Sequence, residues 1–503
     1  MTEPQTQLQP QLQDAEPEIL IEEERYRRQI MIWGDEGQRK LANARVAVIG
    51  LDAQGVYLAL CLTALGIGNV VLIDGNETKK DELFLDIGLP TGTRALSYSP
   101  ALGLINKQVN IEGYPTNLES RIDQLLLENA TVIVDATNSV RSKQLAVAYG
   151  REKGIPVLST SSRQGYAKLL LANKDKQHCL MESLMANFEF QQQDALMALM
   201  MCGVTAEEVR KLIFDEREHF LTEPIRFQLG SGYRFRAPEK DSAFAAPNQN
   251  IYSGLSIAFL GGGALGCWGA IAASLMGFGR ADVYDYDAFK SHNINRQVLA
   301  YDGIGKLKAP HLAEKIIAMS RGRTQSTGFN TLILPGFEPQ TRYDLVFDFV
   351  DNRYTRAVNS AYAVSHGIPL ISAGALPHSA RWDIHAKGLT QCMGCVFDIY
   401  EEGRKEEMIR RASCADNPDP SVVTGNAIAA VCALLEAYAL FEPEKFSRPF
   451  NGEYSYRANA QKRFGTSPLS NPCDCYSKPV PGLEISKEDV EAFALAHPEL
   501  LRA

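Results

Sequence analysis

Residues 255–266 read LSIAFLGGGALG, and residues 44–55 read ARVAVIGLDAQG. Each is a short apolar run that breaks at glycine and resumes as a helix-forming stretch. This is the pattern of a buried parallel strand followed by a tight turn into a helix. The likeness extends well beyond one turn. Gly50 precedes Asp74 by 24 residues and Gly261 precedes Asp285 by the same 24, and each Asp ends a second apolar run, NVVLID or ADVYD. Downstream, VDATNS (134–139) aligns with FDFVDN (347–352), and GIPVLSTS (154–161) with GIPLISAG (367–374), both at a shift of 213. Apolar runs that alternate with helical stretches in two copies predict an α/β protein of two tandem doubly wound, Rossmann-like domains.

The chain has 503 residues, enough for two or three domains with cores of their own. An apolar share of 45% and a charged share of 22% are those of an ordinary globular protein. The net charge of -9 argues against nucleic acid as the main partner, since phosphate binding needs an excess of Lys and Arg on one face. Residues 1–24, rich in Gln, Pro and Glu, are expected to form a disordered tail and lack the apolar run of a secretory signal. Residues 255–279 are uncharged and long enough to span a bilayer, but they contain seven glycines, three of them consecutive. A strand, a glycine loop and a buried helix account for them better than a membrane span. Ten cysteines in a chain of this length favour metal binding or thiol chemistry in a reducing cytoplasm over a disulfide scaffold.

The two copies are chemically unequal. The second holds a complete GxGxxG, with Gly261, Gly263 and Gly266, whereas the first holds only Gly50 and Gly55 around Leu-Asp-Ala-Gln. Such a loop lets backbone N–H groups approach a phosphate, and an acid about 20 residues later can bind a ribose. Alone, this would fit a nicotinamide dehydrogenase equally well. The residues that follow do not. Arg296 and Lys308 stand in a polar, loop-like segment, and Asp351 follows the next buried strand. Two cations suit a triphosphate and the charge that develops at an attacked phosphorus, and a carboxylate at the strand end can hold magnesium. The first copy has Asn138 in place of Asp351, and no arginine follows Asp74 where Arg296 follows Asp285.

The second copy resembles the adenylation domain shared by ubiquitin-activating enzymes and the adenylyltransferases of molybdopterin-synthase and thiamine pathways. The resemblance rests on the glycine loop, Asp285-Tyr286-Asp287, Asn293-Ile294-Asn295-Arg296-Gln297, Lys308 and the stretch DFVDN at 348–352, and it covers most of residues 250–475. It implies that Gly261, Gly263, Gly266, Asp285, Asp287, Asn293 and Asp351 bind ATP and magnesium, with Arg296 and Lys308 catalytic. The first copy resembles the inactive partner half of such enzymes. Its opening RYRRQI (25–30) matches a segment that sends an arginine into the other half's site, a role that falls on Arg28. The implied organisation is a tail over 1–24 and an inactive domain over 25–250 with a helical insertion near 175–225. An active domain over 251–482 and a C-terminal helix over 483–503 complete it.

Cys392-Met393-Gly394-Cys395 and Cys473-Asp474-Cys475 lie where the family holds two CxxC pairs on zinc, although the second pair is one residue short. Cys414, in the polar stretch RASCADNPDP ahead of a helical run at 425–440, matches the family's thioester-forming cysteine. Cys61, Cys267 and Cys432 lie in apolar helical stretches and read as core, and Cys179 and Cys202 as structural. The resemblance implies ATP-dependent adenylation of the C-terminal carboxylate of a ubiquitin-like protein ending in glycine. A thioester on Cys414 and transfer to a conjugating-enzyme-like cysteine protein would follow. The chain would be an intramolecular pseudo-dimer that can be monomeric, with no membrane or nucleic-acid partner. It looks like the activating enzymes of bacterial ubiquitin-like operons, some of them linked to phage defence. A sulfur-carrier adenylyltransferase, a small-molecule or tRNA adenylyltransferase and a non-catalytic scaffold stand as alternatives.

Overall fold

Short runs of apolar residues build the middle of two sheets. In the computed structural model of the chain, residues 23–172, 193–230, 234, 246–413 and 419–496 are described. In the first half, β1 (Arg45–Ile49), β2 (Asn69–Ile73), β3 (Asn110–Tyr114), β4 (Val132–Asp135) and β5 (Val157–Arg163) are joined by β6 (Tyr166–Ala172) and β7 (Ile225–Gln228) in the order β3-β2-β1-β4-β5-β6-β7. The first five are parallel, and the last two run antiparallel.

The second half repeats this order with one strand more. It contains β8 (Ser256–Leu260), β9 (Arg280–Tyr284), β10 (Gly328–Phe329), β11 (Leu345–Asp348), β12 (Leu370–Leu376), β13 (Ser379–His385), β14 (Gly452–Arg457) and β15 (Phe464–Pro468), ordered β10-β9-β8-β11-β12-β13-β14-β15. β1 and β8 are buried at every residue after the first, as central parallel strands covered on both faces must be.

Glycine is demanded where each first strand turns into its helix, α2 (Ala53–Leu65) or α6 (Ala264–Met276). A Cβ on Gly266 would lie 2.5 Å from the Gly261 carbonyl oxygen, and one on Gly55 would strike the Gly50 carbonyl. The same close approach is therefore kept in both copies, including the one whose loop has lost its other glycines.

The long uncharged run behaves as its glycines require, giving β8, the loop and α6. A different helix, Val423–Phe441, is long and apolar enough to cross a membrane, and 94% of its apolar window is buried inside the protein. It packs against α6 and against the helix Ala195–Phe214 of the first half, which in turn packs on α2. These helices join the halves into one unit, because a single buried cluster runs from Val46 and Leu60 through Met200 to Phe259 and Tyr456. Buried charges cross the same seam. Arg234 meets Glu436 at 2.8 Å, Arg463 meets Glu208 at 2.9 Å, and Thr424 donates to Glu207 at 3.0 Å.

Two of the expected bounds meet elements of the structure. The helix Ala195–Phe214 falls within the proposed insertion and leads to β7 at the antiparallel end of its sheet, as Val423–Phe441 leads to β14 in the second half. Its residues from Leu196 to Lys211 are all buried, so it carries no polar stripe by which a sequence reading could recognise it. Residues 173–192 of that stretch lie outside the described residues. At the other end, the first helix, Glu23–Asn43, begins inside the expected tail, and the Glu24 carboxylate meets His292 of the second half at 3.3 Å. The C-terminal helix, Lys487–Ala496, is capped by Ser486, whose hydroxyl accepts from the Asp489 N–H at 3.0 Å.

Gly266→Ala is expected to destabilise the fold by about 1–3 kcal/mol, since the obstruction is backbone and cannot rotate away. Urea denaturation checks this, and an unchanged midpoint would contradict the close approach.

Candidate active site

The order of the second sheet reverses between β8 and β11, and the crevice outside the C-terminal ends of the strands at such a switch point is the usual ligand site of open α/β sheets. The glycine loop forms one wall. Gly261 takes a φ of 116°, and the Gly262 N–H donates to Asp285 Oδ2 at 2.7 Å. Asp285 Oδ1 accepts from the Asp287 N–H at 2.8 Å, so one carboxylate ties the loop to the end of β9. Burial raises the Asp285 carboxyl above its usual range, and the Lys308 charge opposes this. Gly263 caps α6 with no side-chain hydrogen bond, and a Cβ there would meet only Gln297 Nε2, at 4.0 Å. The first-turn amides of α6 are thus left without a side-chain acceptor, which is the arrangement that accepts an anion.

Cations line the crevice. Arg296 follows a 3₁₀ turn at Ser291–Asn293 and is buried. Its NH1 donates to the His292 carbonyl at 2.7 Å and to Asn295 Oδ1 at 3.1 Å. Asn293 shapes that turn: its Oδ1 accepts from the Lys290 N–H at 2.9 Å, and its main-chain oxygen accepts from the Arg296 N–H at 3.1 Å. Lys308 is the first residue of the helix Lys308–Met319, also buried, with Nζ 2.9 Å from Asp287 Oδ2. The sequence reading of a polar loop around these two cations is therefore replaced by a 3₁₀ turn and a helix start, and neither cation is a solvated surface charge. The lysine helix is held from the other half as well. Asp86, in the hairpin of Leu83–Phe84 and Ile87–Gly88, receives the Lys315 ammonium at 2.6 Å.

Arg28 reaches the site from the first half on the helix Glu23–Asn43. Its NH1 donates to the Asp419 carbonyl at 2.9 Å, and its own carbonyl accepts from the Ser421 N–H at 3.3 Å. Burial and the repulsion of Arg28 together lower Arg296 to about 10, with Asp351 acting in the opposite sense. Asp351 is exposed just past β11, and among the described residues its one hydrogen bond is from Asn352 Nδ2 at 3.4 Å. Its oxygens are free to coordinate a cation.

The first half keeps the scaffold and fills the space. Asp74 accepts from the Leu51 N–H at 2.6 Å, as Asp285 does from Gly262. But the cap of α2 is Asp52, where α6 has Gly263. Asp52 is ion-paired to Arg94, the first residue of the helix Arg94–Ile105, whose guanidinium also lies 3.9 Å from Asp74. A carboxylate thus stands at the helix N-terminus that would otherwise receive a phosphate.

The sulfurs of Cys392, Cys395, Cys473 and Cys475 all lie within 4.8 Å of one another. Around a tetrahedral zinc, thiolates about 2.3 Å from the metal stand roughly 3.8 Å apart, so this donor set fits the ion. The short CxC spacing does not prevent the four from meeting. Cys61, Cys267, Cys432 and Cys202 are buried, and the Cys61 and Cys202 sulfurs are 3.5 Å apart. Cys414 and Cys179 lie outside the described residues, and the helix Ile399–Ser413 ends one residue before Cys414. Sequence reasoning did not single out Gln29, whose Oε1 accepts from Asn295 Nδ2 at 3.0 Å. Its place beside Arg28 was the only available signal.

Fold and site together define a fused pair of Rossmann-like α/β units, with buried cations gathered at the switch point of the second. The chain belongs to the ThiF family, whose model matches residues 26–245 and 241–475. It is 28% identical over 175 residues to an adenylyltransferase and sulfurtransferase UBA4 of Vanderwaltozyma polyspora, covering 33% of this chain and 40% of that one. It is also 28% identical over 176 residues to the NEDD8-activating enzyme E1 regulatory subunit of Gallus gallus, covering 32% and 31%. The similarity therefore spans two fifths or less of the length of these relatives. Among solved structures, E. coli MccB with AMPCPP and MccA is similar at a TM-score of 0.38 and 19% identity, covering 44% of this chain and 66% of that one.

Metal analysis of the chain purified without chelator is expected to find about one zinc per molecule, lost in the Cys395→Ser, Cys475→Ser double variant. A metal-free wild type would remove the site.

Proposed function

We propose that the chain activates the C-terminal carboxylate of a small ubiquitin-like protein ending in glycine. The observation that carries this reading is the gathering of Arg28, Arg296 and Lys308 around an uncapped helix N-terminus, with two guanidiniums repelling each other. Like charges held together in a crevice are stabilised by a polyanion, and ATP is the polyanion that an adenylyltransferase takes as substrate. The partner's carboxylate oxygen attacks the α-phosphorus, the bond to pyrophosphate breaks, and an acyl-adenylate forms. Arg296, Lys308 and Arg28 carry the charge that develops on the phosphates. Asp351 would hold magnesium, which supplies further neutralisation of the triphosphate. The Cys392, Cys395, Cys473 and Cys475 thiolates would hold a structural zinc.

In the second step the Cys414 thiolate attacks the acyl carbon and AMP leaves with its electron pair, giving a thioester ready for the thiol of a conjugating-enzyme-like protein. The thiol proton goes to solvent. Division into two displacements makes each barrier lower than direct acylation. The first half is inactive in this scheme, since it has Asn138 in place of Asp351 and pairs Asp52 with Arg94 beside the start of α2. Neither a nucleic acid nor a membrane takes part. A second reading, adenylation of a sulfur-carrier protein with Cys414 dispensable, draws on the relative named as an adenylyltransferase and sulfurtransferase.

Asp351→Ala should abolish ATP–pyrophosphate exchange with the carrier protein, while Asn138→Ala should leave most of it. Equal losses would overturn the division into active and inactive halves. Arg28→Ala should slow exchange by roughly tenfold or more, the loss of one charge-assisted hydrogen bond of about 1.5–3 kcal/mol. Cys414→Ala separates the two readings on a non-reducing gel. The thioester scheme predicts exchange intact and a thiol-labile adduct lost, whereas a wild type with exchange but no adduct favours the sulfur-carrier reading.

A further inference from the structure

We propose that Gln29 and Asn295 are positioning residues that fix the Arg296 guanidinium by a hydrogen-bond relay starting in the inactive half. The proposal rests on the adenylation reading of the crevice. The relay begins at the Leu65 carbonyl, the last residue of α2, which accepts from Gln29 Nε2 at 2.9 Å and from Gln38 Nε2 at 3.2 Å. Gln29 Nε2 also donates to Gln38 Oε1 at 2.7 Å. Gln29 Oε1 accepts from Asn295 Nδ2 at 3.0 Å, and Asn295 Oδ1 accepts from Arg296 NH1 at 3.1 Å.

The direction of this chain is forced at both ends. A main-chain carbonyl only accepts, so Gln29 must present its amino group to Leu65 and its oxygen to Asn295. A guanidinium only donates, so Asn295 must present its oxygen to Arg296 and its amino group to Gln29. Gln29 and Asn295 are fully buried, and Gln38 nearly so. Turning either amide over would leave buried groups facing like groups, and each such loss is costly where water cannot compensate.

What the relay holds is one edge of Arg296. Both of its hydrogen bonds are made by NH1, and among the described residues neither Nε nor NH2 is bonded. The guanidinium is thus pinned at one corner with its remaining donors kept for a phosphate. The residue next to Gln29 on the first helix is Arg28. One helix of the inactive half therefore both delivers a cation and aims another.

The test uses the full chain, titrated calorimetrically with Mg–ATP and, separately, with adenosine, which has no phosphate to meet Arg296. Gln29→Met and Asn295→Leu keep volume and remove the relay. Each is expected to weaken Mg–ATP about 5–10-fold and to leave adenosine within about twofold. In an Arg296→Ala background neither should cost more than about a further twofold, because both act through Arg296. Full additive losses there, or equal losses for adenosine, would reduce the relay to general support of the fold and overturn the proposal. If Gln29→Met does not fold, Asn295→Leu on the other side of the seam gives the same measurement. An Arg296→Ala variant with normal Mg–ATP affinity would sink the adenylation reading and the relay with it. Loss in Arg296→Ala together with normal binding in both relay variants would sink the relay alone.

Discussion

Two guanidiniums from different halves of one chain stand in each other's field, and the rest of the molecule is arranged to keep them there. Burial and the nearby charge of Arg28 both lower the basicity of Arg296. Such a pair would relax apart on a flexible surface. Here Arg28 is held by the main chain at Asp419 and Ser421, and Arg296 by His292 and Asn295. The strain of keeping them together is met by burial along the seam, where one apolar cluster and several ion pairs run through both halves. Removing one partner of a buried ion pair typically costs about 3–5 kcal/mol, so the seam has ample strength to hold two like charges in place.

The two crevices show how little sequence separates an open site from a filled one. Both first strands end in a loop tied to an aspartate, Asp74 or Asp285, and both helices begin on glycines that a Cβ would break. Even the buried pair behind the fourth strand recurs, as Asp135 with Lys143 and Asp348 with Arg356. Besides Asn138 in place of Asp351 and the missing counterpart of Arg296, the helix caps differ: Gly263 brings no side chain to the N-terminus of its helix, while Asp52 brings a negative charge and pairs with Arg94 from the helix that carries Lys308 in the other half. A carboxylate near a helix N-terminus disfavours a second anion there.

The duplication was legible because parallel strands buried on both faces must be apolar throughout, and because the turns between strand and helix admit only glycine. Those two constraints reveal β1, β8, Gly55 and Gly266 without any structure. Arg296, Lys308 and Asp351 stood out in the sequence for the opposite reason, since a hydride-transfer site of the same shape has no use for them. The place of the helix Ala195–Phe214 ahead of β7 was not legible. It is buried on every side and carries Glu207, Glu208, Arg210 and Lys211 inside, so its pattern is that of neither a surface helix nor an apolar core helix. Gln29 and Asn295 were missed because an amide's importance lies in what it faces, and each faces a residue more than 260 positions away.

On the adenylation reading proposed above, covalent fusion accounts for a first half that takes no part in the chemistry. The second half is preceded, among the described residues, only by the short helix Gln249–Tyr252, which is no counterpart to the long helix Glu23–Asn43. One arm therefore crosses the seam in one direction, and one crevice receives it. Among the described residues no second long helix carries an arginine back to the first half, where Asp52 and Arg94 pair with each other. The first half cannot lose its first helix, the C-terminal end of α2 or the Asp86 hairpin without loosening Arg28, Arg296 or the helix that begins at Lys308. It is retained as the wall against which the second half's cations are set.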